Sequence, residues 1–168
     1  MISPYVTSVP HVFVFKGGGS ITSPAFAHNT RMSSLYTCDS KDINPPLIFS
    51  NVPEHAVSLT LIMDDPDVPR ELREDGIWDH WIVFNISPSV HGVREGEEPE
   101  GVHGVGTSGN LDYDGPCPPD REHRYFFALY ALDTLLDLKE GVTKGEVLAA
   151  MKGHVIEKAE LIGLYERQ

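Results

Sequence analysis

Four polar residues and a tyrosine stand next to apolar runs of this sequence. Asp65 and Asp67 follow one run, His80 and His123 each precede another, and Tyr125 comes two residues after His123. When such runs form neighbouring strands, groups at their ends can meet at one edge of the sheet. The sequence therefore predicts that these side chains line a common pocket.

Two histidines with carboxylates nearby are compatible with three kinds of site. They could bind an anion through imidazolium and backbone N–H groups, hold a metal as a two-histidine-one-carboxylate site, or act as general acid and base. No HxH or HExxH spacing occurs, which disfavours a metal, and no GxSxG occurs, which disfavours a serine nucleophile. The residues by themselves predict a pocket for an anion or a polar headgroup, without metal or cofactor. The alternative is a hydrolase in which His80 or His123 is the base and Asp65 orients it.

Each of these residues also has an explanation that involves no function. Asp65 and Asp67 flank a proline, and an Asp-Pro-Asp sequence is common in turns. His80 stands beside two tryptophans and could be a buried histidine whose hydrogen bonds are satisfied within the core. His123 could be an exposed strand start. In the anion-binding interpretation it lies at the sheet rim, where its removal weakens binding and leaves the fold intact.

Two predicted strands must position the site. Residues 57–63 are mostly apolar, and residues 81–86 are β-branched and aromatic, which is typical of a buried strand. His80 has the same parity as Ile82 and Phe84, so its side chain is expected to point the way theirs do.

The rest of the chain contains further strands and one clear helix. Thr143 followed by Glu146 is a capping box, which predicts a helix over 143–153. Residues 155–165 could form either a second helix or a final strand, and residues 21–46 are predicted to be irregular. The other predicted strands are 12–15, 47–49 and 125–132. One helix among about six strands indicates a β-sandwich or barrel.

Composition limits the possible functions. The 168-residue chain is 40% hydrophobic and 23% charged, values typical of a soluble globular protein. Its net charge of -12 argues against nucleic acid as a partner, because phosphate backbones bind clustered Lys and Arg. No apolar run reaches about 18 residues, so no membrane-spanning segment is expected.

Length and termini suggest the domain organisation and the location. We predict an N-terminal segment, residues 1–20, with a short strand, followed by a single domain over residues 21–168. The N-terminus lacks the basic and apolar regions of a signal peptide, which favours a cytoplasmic location. Cys38 and Cys117 are then expected to be free thiols, since a reducing compartment disfavours disulfides.

Several motifs, in order along roughly residues 21–167, resemble the phosphatidylethanolamine-binding protein family in its compact bacterial and archaeal form. The motifs are YTCD at 36–39, DINPPL at 42–47, DPDVP at 65–69, WDHWIVFNI at 78–86, GPCPP at 115–119, HRY at 123–125, AMKGHV at 150–155 and AELIGLY at 159–165.

This resemblance implies a mainly β fold of two antiparallel sheets with one or two short helices, in which the last segment is a strand. It also implies a small pocket for phosphate-like anions, lined by the residues at the matching motif positions. These residues are Asp65, Asp67, Pro69, Trp78, His80, Gly115, Pro116, His123 and Tyr125.

The resemblance further implies a binding and regulatory protein rather than an enzyme. Its ligand is expected to be a small anion or a phospholipid headgroup, its protein partner is expected to be a kinase or a protease, and a homodimer is compatible with it. Two departures from the family pattern bear on the pocket. Gly106 stands where relatives commonly have Asn, and residues 70–76 form a long insertion before Trp78.

Overall fold

The computed structural model describes residues 13–15 and 18–168. The strand predicted at 12–15 is present as Phe13–Phe15, and Val12 lies outside the described residues. Within that part of the chain there are ten strands, one α-helix (α1, Lys144–Met151) and one 3₁₀ turn (Ser34–Tyr36). The strands are β1 (Phe13–Phe15), β2 (Ser20–Thr22), β3 (Thr30–Arg31), β4 (Leu47–Ser50), β5 (Ser58–Asp65), β6 (Trp78–Ile86), β7 (Gly92–Val93), β8 (Val102–His103), β9 (His123–Leu132) and β10 (Val155–Tyr165).

The strands form two sheets. The large sheet has the order β1-β10-β9-β5-β6-β8, with the short β3 also paired to β10, and the small sheet has the order β2-β4-β7. All pairs are antiparallel except β3 with β10, which run parallel. The prediction of a mainly β fold with two sheets and a short helix is therefore confirmed, and only the two-residue β3 departs from antiparallel pairing.

Alternating side chains give the large sheet two buried faces. On β5, Leu61 and Met63 belong to a core that also contains Phe49 of the small sheet. Ile62 belongs to a second cluster on the opposite face, to which α1 contributes Met151. A strand that is buried on both faces is apolar at nearly every position, which is why this run shows no hydrophobic-polar alternation.

The helix α1 begins where the capping box predicts. The side-chain oxygen of Thr143 accepts a hydrogen bond from the backbone N–H of Glu146 at 3.3 Å, and the helix ends at Met151. Gly153 follows with a φ of 83°, a left-handed conformation that glycine adopts without strain and that leads the chain into β10. No helix in the described part of the chain is long and apolar enough to cross a membrane.

The C-terminal segment is a strand, as the family resemblance implies, and not a second helix. It pairs with β9 along almost its whole length and with β1 on its other edge. Alternate residues in its middle, Glu157, Ala159 and Leu161, are buried. This period of two is that of a strand.

Cys38 and Cys117 form a disulfide, so the prediction of two free thiols is wrong. Their Cα atoms lie 5.4 Å apart although the residues are 79 positions apart in the sequence. The backbone N–H of Cys38 also donates to the carbonyl of Pro116 at 3.1 Å, so the two loops touch independently of the sulfur atoms. The prediction failed because it was based on the expected compartment, whereas pairing depends on proximity in space.

Candidate functional site

His80 is the extra residue of a β-bulge in β6. Met63 of β5 is paired with Trp81, and the next pair along the two strands joins Asp64 to Asp79. His80 therefore has no partner on β5. An extra residue of this kind shifts the alternation of side chains by one position and so changes the face toward which they point.

Because of the bulge, the His80 side chain points to the opposite face of the sheet from the one predicted. Ile82 and Phe84 lie in the cluster beneath α1. The His80 ring instead meets the ring of Tyr125 edge-on, with 5.3 Å between the ring centroids, and Tyr125 belongs to the core between the sheets. The prediction from parity was wrong because a regular period of two does not continue through a bulge.

A cavity of about 450 Å³ opens at this end of the large sheet. Three strands contribute to it: Asp65 is the last residue of β5, His80 lies near the start of β6, and His123 is the first residue of β9. Loops complete the wall, and both cysteines of the disulfide lie in it. The lining residues are Cys38, Asp65, Val68, Leu72, Trp78, His80, Ser108, Asp114, Gly115, Cys117, Pro118, Pro119, His123 and Tyr125.

His123 is clamped between two carboxylates. Its Nδ1 lies 2.6 Å from Oδ2 of Asp65, and its Nε2 lies 2.6 Å from Oδ1 of Asp120. Ionised carboxylates only accept hydrogen bonds, so both ring nitrogens donate and the ring is an imidazolium. The hydrogen bond from His123 holds the pKa of Asp120 below its usual value. The remaining oxygen of Asp65 accepts from the backbone N–H of Asp67 at 2.8 Å.

His80 uses one ring nitrogen and leaves the other free. Its Nδ1 lies 2.6 Å from the carbonyl oxygen of Asp114, which can only accept, so Nδ1 carries a proton. Burial lowers the pKa of His80, and the neighbouring carboxylates offset this effect only in part. The ring is therefore neutral near pH 7 and its Nε2 is an acceptor. Among the described residues, Nε2 has no hydrogen-bond partner.

Tyr125 presents a hydroxyl group without a partner. The side chain is completely buried, and its hydroxyl makes no hydrogen bond of full geometry within the described part of the chain, although the Asp65 carboxylate lies close enough to attract its proton. Burial, and then the charge of Asp65, raise the pKa of Tyr125 far above the usual value, so the group keeps its proton. A buried O–H without an acceptor is costly, and here it lies in a cavity wall where a ligand oxygen could accept from it.

The mouth of the cavity is apolar. Leu72 of the 70–76 insertion lines it with 64% of its surface exposed, and Trp78 lies beside it. The guanidinium of Arg73 lies 5.7 Å from the centroid of the Trp78 ring, and the indole N–H donates to Asp114 at 3.4 Å. The 70–76 loop therefore contributes to the cavity wall.

Comparison with known proteins identifies the family. The model of the family named phosphatidylethanolamine-binding protein matches residues 22–166. The chain belongs to this family. Its cavity is thus built from the strand ends and loops of a phosphatidylethanolamine-binding protein fold.

Relatives of this family member align with most of its length. A UPF0098 protein of Chlamydia pneumoniae is 51% identical over 147 residues, which is 88% of this chain and 98% of that protein. A UPF0098 protein of Methanothermobacter thermautotrophicus is 50% identical over 154 residues, covering 88% of this chain and 99% of that protein.

Solved structures agree with this assignment. The crystal structure of a phosphatidylethanolamine-binding protein homologue of Chlamydia trachomatis has a TM-score of 0.87 and 50% identity, covering 89% of this chain and 98% of that one. Escherichia coli YbcL, a member of the mammalian family, has a TM-score of 0.81 and 26% identity, covering 90% of this chain and 100% of that one.

Six of the nine residues predicted for the pocket of this family member lie in the cavity wall. They are Asp65, Trp78, His80, Gly115, His123 and Tyr125. These six residues come from three strands and one loop. His123 was predicted to lie exposed at the rim of the sheet. In the structure it has no solvent-accessible surface.

The other three predicted residues support the wall from outside. Both side-chain oxygens of Asp67 accept hydrogen bonds from the Arg124 guanidinium, at 2.8 and 2.9 Å. Pro69 accepts at its carbonyl from the backbone N–H of Leu72 at 2.9 Å, and Pro116 accepts from Cys38. Their part is structural: they hold loops that line the cavity.

Two glycines allow close approaches next to the cavity. Gly115 donates its N–H to Asp42 at 2.9 Å, and a Cβ at this position would clash with that carboxylate and with the carbonyl of Tyr36. At Gly106 a Cβ would lie 2.7 Å from the carbonyl oxygen of Asp79. The lack of a side chain at Gly106 therefore fits a loop that lies directly on β6.

Sequence reasoning missed two important residues of the site. Asp120 stands three residues before His123, and this spacing across a tight bend could have indicated a contact. Asp114 acts on His80 through its carbonyl oxygen. No sequence signal reveals such a contact, because every residue carries a carbonyl group.

Hydrogen bonding argues against a metal at His123. His123 has no free lone pair while both of its nitrogens donate. One other group in the described part of the chain, formed by Glu98, His103 and Asp112, is close enough to hold a metal ion. The two ring nitrogens of His103, however, lie 3.0 and 3.1 Å from backbone carbonyl oxygens, so both donate and neither can ligate.

Proposed function

We propose that this member of the phosphatidylethanolamine-binding protein family is a binding protein whose cavity takes a small phosphate-like anion. The observation that carries the proposal is the hydroxyl of Tyr125, a buried donor without an acceptor in a cavity wall. An anionic oxygen is a strong acceptor for such a donor. His80, beside Tyr125, offers a second polar atom to the same ligand.

The His123 imidazolium lowers the cost of placing a small anion next to the carboxylates of the cavity. The His123 imidazolium lies in the wall and offsets part of the negative charge of Asp65 and Asp120. The proposed ligand-binding residues are those predicted from the sequence, with Tyr125 and His80 in direct contact and Asp67, Pro69 and Pro116 in support. A phospholipid headgroup, a phosphorylated metabolite and a phosphorylated side chain all carry a phosphate group.

A hydrolase is the weaker candidate. His123 cannot act as a general base while both of its ring nitrogens donate to carboxylates. The two cysteines in the wall are joined in a disulfide, so neither offers a thiolate. His80 keeps a free lone pair, but a base alone without an activated nucleophile favours binding over catalysis.

The wider parts of this proposal concern partners and location. A kinase or protease as protein partner and a homodimer are carried over from the sequence resemblance, and a cytoplasmic location from the features of the N-terminus. The disulfide weakens one argument for the cytoplasm, because such bonds persist mainly in oxidising compartments. Cell fractionation with immediate alkylation would test location and disulfide together.

Titration of inorganic phosphate into the protein, followed by NMR, tests the binding function. Tyr125→Phe removes only the unpaired hydroxyl, and we expect it to weaken binding by roughly 1.5–3 kcal/mol. Tyr130→Phe is the matched control, since Tyr130 is on the same strand and borders a different, outer groove with Lys158. The control should bind like the wild type. Absence of phosphate binding to the wild type, or equal affinity of wild type and Tyr125→Phe, would contradict the proposal.

A further inference from the structure

We propose that the cavity selects among oxyanions by protonation: it binds those that keep an O–H group, such as hydrogen phosphate, and discriminates against those without one, such as sulfate. This inference rests on the proposed anion-binding function and defines its ligand class. The two atoms that decide it are the Tyr125 hydroxyl and Nε2 of His80.

These two atoms have opposite hydrogen-bonding character. Tyr125 can donate, because its hydroxyl has no partner within the described residues. His80 donates from Nδ1 to the carbonyl oxygen of Asp114 at 2.6 Å, so the neutral ring leaves a lone pair on Nε2. Both side chains line the same cavity, with 5.3 Å between their ring centroids. The site therefore offers one donor and one acceptor to a single ligand.

A hydrogen phosphate group matches this pair and a sulfate does not. One oxygen of the phosphate accepts from Tyr125, while its O–H donates to Nε2 of His80. Sulfate carries only acceptors near neutral pH, so it must place an oxygen lone pair against the lone pair of Nε2. Both side chains are almost completely buried, at 0% and 4% exposure, so a sulfate bound between them leaves the Nε2 lone pair without a donor from the ligand.

His123 does not supply the missing donor. Its two N–H groups are directed to Asp65 and Asp120, each at 2.6 Å. The carboxylates of Asp65 and Asp114 in the wall also oppose a second negative charge on the ligand. Both the hydrogen bond to Nε2 of His80 and the charge of the wall carboxylates thus favour a singly charged, protonated oxyanion over a dianion.

The same rule separates the possible sources of phosphate. Inorganic phosphate always keeps a proton near neutral pH, and a phosphomonoester keeps one on part of its molecules, since its second pKa is about 6. A phosphodiester, the form found in a phospholipid headgroup, has no O–H on phosphorus. The inference therefore ranks free phosphate first, monoesters second, and diesters last.

The test compares four probes at matched ionic strength near pH 7: inorganic phosphate, phosphoethanolamine, glycerophosphoethanolamine and sulfate. We expect the wild type to bind phosphate at least about 10-fold more tightly than sulfate or the diester, the scale of one unsatisfied buried hydrogen bond. His80→Gln places an amide N–H near the position of Nε2, and the ratio of phosphate to sulfate affinity should fall toward one. His154→Gln, at an exposed histidine, is the control and should keep the wild-type ratio.

The outcomes separate this inference from the binding function. If the wild type binds phosphate and sulfate, or phosphate and the diester, with equal affinity, the inference is wrong and the anion-binding function stands. If it binds none of the four probes, both are wrong. The four wild-type titrations decide the matter even if His80→Gln does not fold.

Discussion

Nε2 of His123 lies 2.6 Å from Oδ1 of Asp120, three residues earlier in the chain. With Asp65 on the other ring nitrogen, this histidine bridges two carboxylates and has no exposed surface. The positive charge of the His123 imidazolium compensates the negative charge of the buried Asp65 at the cavity wall. The ring therefore supports the site from within, and this differs from the expectation of a rim histidine that contributes little to the fold.

Replacement of His123 by alanine should destabilise the protein. The variant leaves the buried Asp65 carboxylate without its cation, and breaking a buried pair in this way costs about 3–5 kcal/mol. His154→Ala is the matched control, because His154 forms a comparable 2.7 Å contact with Asp133 in which both side chains are about half exposed. An exposed pair of this kind contributes about 0–1 kcal/mol. Urea unfolding of both variants is the measurement, and equal losses would show that His123 is not a buried clamp.

The buried His80 should make stability depend on pH. Burial lowers the pKa of His80 in the folded protein, while the hydrogen bond to Asp114 and the charges of Asp114, Asp65 and Asp64 offset this only in part. Between the two pKa values the unfolded chain binds more protons, so the stabilisation is fully present above the unfolded value of about 6.5 and is lost as pH falls toward the folded value.

This dependence can be measured by urea unfolding from roughly pH 8 to roughly pH 5.5. The free energy of unfolding of the wild type should fall by up to about 1.4 kcal/mol per pH unit in excess of the fall in His80→Gln. The difference between the two proteins removes the contribution of groups they share. Parallel curves would mean that His80 titrates alike in the folded and unfolded states.

Sulfate binding should strengthen as pH falls, whereas phosphate binding should change less. Protonation of Nε2 of His80 gives the cavity a second donor, and this requires a pH below the folded-state value because burial lowers the pKa of His80. The ring of Tyr125 packs against the His80 ring, and the charges that act on it are those of Asp114, Asp65 and Asp64. Sulfate does not titrate in this range, so its affinity reports on the protein. A sulfate affinity that rises by the same factor in His80→Gln as in the wild type would show that His80 is not the group responsible.

Removal of the Cys38–Cys117 disulfide should lower stability. The bond closes a loop across 79 positions, and loss of such a bond typically costs about 2–4 kcal/mol. Cys38→Ser combined with Cys117→Ser should show this loss in urea unfolding, and reduction of the wild type by dithiothreitol should match it. The double variant should not respond to the reductant. Alkylation of denatured, unreduced protein should find no thiol, and recovery of two would contradict the disulfide.

Much of the fold follows from local properties of the sequence. Two runs, one before Asp65 and one after His80, form strands of the large sheet. Successive side chains of a strand point to opposite faces, and both faces are covered here, so apolar residues are suitable at nearly every position. Thr143 caps its helix because the cap involves only residues within one turn. The motifs around these elements were enough to indicate the family and six residues of the cavity wall.

The chemistry of the site was decided by tertiary structure. His80 faces the cavity because β5 pairs past it and leaves a bulge, and a bulge depends on the partner strand as well as on its own sequence. Which of its nitrogens is free depends on the carbonyl of Asp114, which a distant loop brings to it. The same holds for Cys38 and Cys117, whose bond depends on distance in space rather than in sequence. Sequence determined which groups this protein carries, and the pairing of remote segments determined which of their hydrogen bonds remain available to a ligand.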